Sequence, residues 1–230
     1  MHNEHLAGLR LLQLADSALP IGAAAHSFGI ETLVADGLLD VARLDSFLMD
    51  HIAEAGVLEG SVCRAAYRMA GCVQFPKEDW LDLNRWLGAR KPARESRVAA
   101  ATQGRRFLRL VLELGECRVL QLALEEAELA GTGVYYSSAF GLAGGALALA
   151  EEATVLAYLH QSVAGLISAC QRLLPLGQTR ASRIVWNLKP ALIQASERTQ
   201  ACDLDIFSST PLPDLASMSH PGLSTRLFIS

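Results

Sequence analysis

The apolar residues of this 230-residue chain recur at helical spacing almost everywhere, and no stretch alternates with the period of two that a half-buried strand requires. Leu44, Phe47, Leu48, Ile52 and Ala55 fall three or four positions apart, and Val155, Leu159, Val163, Leu166, Cys170 and Leu173 mark one face of a long helix. Break signals at Gly37, Gly56, Gly71 to Pro76, Pro92, Gly115, Gly131 to Gly133, Leu174 to Gly177 and Pro190 divide the pattern into roughly nine or ten helices. The sequence therefore predicts an all-α, single-domain bundle. With 51% hydrophobic and 19% charged residues, a chain of this length can bury one large core.

A fold without strands limits the chemistry. The segment "AHSFG" around Ser27 is a variant of the nucleophile elbow, which places a serine on a sharp strand-to-helix turn above a parallel sheet. A serine hydrolase using Ser27 is therefore the alternative reading, with His220 as the histidine that follows any downstream aspartate. The elbow lacks its strand, because Pro20 and Gly22 stand where it belongs, and the expected role of Ser27 is to cap a helix starting near Phe28. The glycines of "GLAGG" are not followed by Gly-Lys-Ser/Thr, so no nucleotide hydrolysis is expected.

Charge and cysteine usage narrow the partners. The formal net charge is −4 and no run of Lys and Arg is long enough to attract nucleic acid. Arg94, Arg97, Arg105 and Arg109 share one helix face, expected to be solvated or paired with Glu125, Glu126 and Glu128. The cysteines, Cys63, Cys72, Cys117, Cys170 and Cys202, show no metal-ligand spacing and read as buried thiols in a reducing compartment. His51 and His160, beside apolar positions, read as ordinary partly buried histidines. No metal site, cofactor or catalytic residue is expected. The start, "MHNEHLAGLRLLQLADS", lacks the features of a secretory signal, so the expected location is cytoplasmic.

Leu129 to Ala150 is uncharged and long enough to span a membrane, but acidic residues flank it on both sides and it carries Gly141 and Gly145 at G-x-x-x-G spacing. The expectation is a central bundle helix approached closely by its neighbours. From Cys202 to Ser230 the chain is rich in Ser and Pro, so helical packing is expected to end near Ala201. The apolar end of that tail, with Leu223, Leu227, Phe228 and Ile229, is expected to order against the bundle or a partner.

Three separated blocks, "LLQLADSALPIGAAAHSFGIETLV", "LLPLGQTRASRIVWNLKPAL" and "ASMSHPGLSTRLFIS", resemble in order and separation the UreF family of urease accessory proteins. The resemblance implies one all-helical domain over residues 1–230, with a 1–16 N-terminal segment and a partly extended 202–230 docking tail. It implies a homodimeric, non-catalytic scaffold that bridges a UreD/UreH-type protein and the GTPase UreG to apo-urease during nickel insertion. Pro20, Gly22, Ser27, Gly29 and Glu31 match the family's early block, and with His26, Gln178, Arg226, Leu227 and Phe228 they are the implied partner-binding residues. One position departs: the family's usual aromatic after Pro-x-Gly is Ala24 here, leaving Phe28 as the nearby aromatic.

Overall fold

The computed structural model describes residues 2–201 and 210–230. Among them are twelve α-helices and no strand, as the periodicity requires. They are α1 (His2–Leu14), α2 (Ile30–Ala35), α3 (Leu44–His51), α4 (Val57–Ala70), α5 (Lys77–Ala89), α6 (Arg94–Leu114), α7 (Arg118–Leu129), α8 (Tyr136–Ala146), α9 (Glu151–Leu173), α10 (Gln178–Asn187), α11 (Lys189–Arg198) and α12 (Pro211–Ser219). Two pairs count as one rod each. α3 runs into α4 through a π-helical stretch, Ile52–Gly56. α10 meets α11 at the single residue Leu188, just before Pro190 removes a helical amide. Ten rods remain, matching the expected number.

The core is one continuous apolar cluster with α8 near its centre. α8 is buried over most of its length because its small residues leave no side chain to hold neighbours away. A Cβ on Gly141 would collide with the Cys63 carbonyl, and one on Gly145 with the Tyr67 carbonyl, so both glycines set the close crossing of α8 on α4. On its other side Phe140 stacks on Phe107, ring centroids 5.3 Å apart, and meets Tyr136 and Tyr158. The helix is eleven residues long. At 1.5 Å per residue it reaches only about half of a bilayer's ~30 Å core, so the uncharged stretch is the middle of a bundle. α9 passes the length and hydropathy test for a span, yet 56% of that stretch is buried in the fold.

α9 carries the predicted stripe: Val155, Leu159, Val163, Leu166 and Cys170 are all buried. Its first turn also anchors a charged cluster. The buried Arg64 of α4 reaches Glu151 at 3.0 Å and Glu152 at 2.7 Å and donates to Ser196 and Thr199, tying α4 to α9 and to α11 and its end.

Several expectations need correction. Helical packing does not end near Ala201: α12 lies beyond it, started by Thr210, whose hydroxyl contacts Asp214, and by Pro211 in the first turn. Of the two readings of the α6 Arg face, the solvated one holds for Arg94, Arg105 and Arg109, which are exposed, while Glu126 pairs with Lys77 and Glu125 with Arg118. Cys63 and Cys170 are buried thiols, the latter pushed by burial to about 12, but Cys72 is exposed and Cys202 lies outside the described residues.

Candidate functional site

The Pro20 to Glu31 block folds as a strained loop leading into α2. Ile21 is buried, and Gly22 takes a left-handed φ of 84° beside Arg106, whose guanidinium would meet any Cβ there. A short 3-10 turn, Ala23–Ala25, follows, and then an extended His26. Phe28 and Gly29 are both left-handed, at φ 50° and 91°, which is strained for phenylalanine. Gly29 has a second constraint, since its Cβ would come within 2.6 Å of the Pro213 carbonyl and 2.8 Å of Ser217 Oγ. The loop thus seats α12 directly on the start of α2.

Ser27 is completely buried and does not begin a helix at Phe28; α2 starts at Ile30 with Gly29 in the cap position. Its hydroxyl donates to the Ser230 carbonyl at 3.1 Å and accepts the Glu31 amide at 3.4 Å. The neighbouring His26 turns its Nδ1 to Ser230 Oγ at 2.8 Å, and His220 is held by two carboxylates. The geometry of a nucleophile elbow is therefore not built here.

The C-terminal residues lie along this loop. Ser27 N–H donates to the Ser230 carbonyl at 2.5 Å, and Ile229 N–H donates to the Ala25 carbonyl at 2.8 Å. Side chains alternate along this extended end: Leu227 and Ile229 face outward, Phe228 and Ser230 inward. Phe228 is only 4% exposed and lies beneath the Arg172 guanidinium, 4.2 Å from its ring centroid. Arg172 also donates to the Ala24 carbonyl at 2.7 Å, so one arginine of α9 grips both loop and tail.

Glu31 fastens the junction. Its carboxylate accepts the amides of Leu227 at 2.5 Å and Phe228 at 3.1 Å, and the ring Nε2 of His220 lies 2.8 Å away. Burial alone would raise its pKa; the Leu227 amide, the His220 ring and the Phe228 amide outweigh burial and hold it below the ordinary carboxylate value. The opposite ring nitrogen of His220 sits 2.9 Å from Glu95, which also accepts from Arg226 at 3.2 Å.

Nine of the ten sequence-predicted site residues thus stand in or beside one constellation, with Pro20 exposed at the loop's entrance. Gln178 is exposed at the first position of α10 and takes no part in this hydrogen-bond network. Sequence reasoning missed Glu95, Arg106 and Arg172, and saw His220 only as a candidate hydrolase histidine. Nothing in their local sequence marks them.

Below the loop and α12 lies a cavity of about 200 Å³, with His51, Glu59, Lys91 and Tyr158 in its lining. The π-helical stretch brings His51 and Glu59 to it, a placement π-bulges often serve. Glu59 and Lys91 form an ion pair, and burial, with Lys91 nearby, pushes His51 down to about 4 against the pull of Glu59. His51 Nδ1, Ser96 Oγ and Gln103 Nε2 border the cavity without a hydrogen-bond partner among the described residues, a lining suited to ordered water.

The loop, α12 and the tail are thus held together by one carboxylate. The UreF family model matches residues 38–189. The chain belongs to the UreF family. It is 34% identical over 228 residues to the urease accessory protein UreF of Microcystis aeruginosa, covering 96% of this chain and 97% of that protein. Its likeness to the UreF of Nostoc sp. is 34% over 225 residues, covering 96% and 95%. With the UreF of Methylobacterium radiotolerans it is 34% over 229 residues, covering 99% and 98%. The Ser27 to Glu31 block and the tail lie outside the span of the family model.

Proposed function

We propose that this UreF-family chain is a non-catalytic, cytoplasmic urease maturation factor. It acts as a homodimer that bridges a UreD/UreH-type protein and the GTPase UreG to apo-urease, with nickel as the cargo of the assembly. The observation that carries the reading is the seating of the C-terminal segment on the Ser27 to Glu31 block. It leaves Arg226, Leu227 and Ile229 outward, with side chain or residue exposures of 41%, 53% and 67%. Leu212, Leu215 and Met218 of α12 extend the same kind of surface, apolar and exposed. Such a composite of apolar side chains around an arginine suits recognition of a protein partner.

The role of Phe228 in this reading is to hold the segment in place from within, while Leu227 meets the partner. The test is reconstitution. The purified chain, mixed with a UreD/UreH-type protein and UreG, is expected to co-elute with both on size exclusion, and UreG is expected to leave the complex when the chain is omitted. Failure to bind either partner at micromolar concentrations would contradict the proposal.

A further inference from the structure

The cavity beneath the loop and α12 carries polar groups that packing alone does not require. His51 Nδ1 from the end of α3, with Ser96 Oγ and Gln103 Nε2 from α6, borders it, and none of the three has a hydrogen-bond partner among the described residues. Gln103 is only 4% exposed, so its amide donor is buried and unfilled. Around these atoms the lining is apolar, with Ala100 one turn from Gln103 and Leu166, Tyr136 and Phe28 beside it. The volume of about 200 Å³ is ample for one ring, since a dry cavity of about 150 Å³ already takes up benzene.

The charged groups that face the cavity decide what it accepts. Glu59 and Lys91 pair with each other, Asp214 takes the Thr210 hydroxyl, and burial keeps the rings of His26 and His51 neutral at pH 7. Two carboxylates against one ammonium repel an anion, and an ammonium ligand would bring no acceptor for Gln103. No group of three or more His, Cys, Asp or Glu able to hold a metal ion occurs among the described residues. We propose that this cavity is a binding site for a small uncharged molecule of one ring with an amide head, whose carbonyl oxygen accepts from Gln103 Nε2 while the ring packs against Ala100, Tyr136 and Leu166. His51 Nδ1 and Ser96 Oγ serve the amide N–H groups directly or through water.

Access and coupling follow from the walls. Gly165 of α9 lines the cavity yet is exposed, and a Cβ there would meet nothing within 4 Å, so the rim is open at this point. A ligand can therefore enter without unfolding the bundle. α12 closes another side: Pro213, Asp214 and Ser217 line the cavity, while Leu212, Leu215 and Met218 are exposed on the opposite face of the same helix. A molecule bound against the inner face binds only the seated helix, so occupancy of the cavity stabilises the seating of α12.

The experiment titrates benzamide into the purified full chain at pH 7, read by nitrogen-15 NMR, with benzoate and benzylamine as charged probes of the same ring. The expected result is saturable binding of benzamide with a dissociation constant of about 1 mM or tighter, with shifts centred on the cavity lining, and about tenfold or weaker binding of the two charged probes. Gln103→Leu keeps the size of the side chain and removes the donor, so it should weaken benzamide by about tenfold. Gly165→Leu crowds the open rim and should weaken it at least as much, with the helical circular dichroism of both variants unchanged. At ten times its dissociation constant benzamide should slow hydrogen exchange of the α12 amides by about tenfold. Absence of saturable benzamide binding to the wild-type chain would overturn the proposal and leave a cavity that holds water only. Equal binding of the three probes, or unchanged benzamide affinity in both variants, would overturn it as well.

Discussion

At the scale of single residues, Glu31 concentrates more of the site than any other side chain, because one buried carboxylate serves two amides and an imidazole. Glu31→Ala is expected to leave three donors without their acceptor and to weaken tail docking by about 2 kcal/mol or more. Limited proteolysis within 220–230 should accelerate while the helical circular dichroism stays unchanged. The same carboxyl sets an acid limit. Its pKa is lowered in the folded state, so its contribution is complete above the ordinary carboxylate value and fades as pH falls through the lower folded value. His51 imposes a different slope: half-buried at the cavity and depressed by desolvation from 6.5 to about 4, it resists protonation that the unfolded chain accepts. Global stability should therefore decline as pH falls from 6.5 toward about 4, and chemical denaturation of His51→Asn should show a shallower decline across that interval.

At the scale of elements, the crossing of α8 on α4 is the packing that admits least change. Gly141→Ala forces a methyl into the Cys63 carbonyl and is expected to cost roughly 1 to 3 kcal/mol or more, read as a drop in thermal midpoint. An unchanged midpoint would mean that the two helices are not in close contact. The long rods were legible because period alone specifies them: the α9 stripe is buried as its spacing requires. α12 was hidden by its composition, since Ser and Pro usually mark loops, although Thr210 followed by Pro211 is also how a helix begins. The latch was illegible for a different reason. Glu31 and His220 stand 189 positions apart, and no local pattern encodes a hydrogen bond that only the finished bundle brings about. The family's early block pointed to Ser27, Gly29 and Glu31, but their shared task, seating the C-terminal segment, appears only in three dimensions.

At the scale of the whole molecule, the fold provides a rigid helical body with one composite face built from its two sequence-remote ends. Docking of the tail onto the loop places Arg226 beside exposed Leu227 and Ile229, and ties its guanidinium to Glu95 by one partly exposed pair. That pair should contribute little to the stability of the free chain. Arginine's planar fork can still bind carbonyls or a carboxylate of a partner through several hydrogen bonds, where its loss is expensive. The decisive measurement is the affinity of UreG for the proposed complex of this chain with a UreD/UreH-type protein, compared between wild type and Arg226→Ala. The predicted result is an unchanged helical signal and oligomeric state in the free mutant, with UreG binding weakened by on the order of 2 kcal/mol, about thirtyfold. Equal UreG affinity in the two complexes, or a free Arg226→Ala chain that does not fold, would contradict the assignment of this face to partner docking.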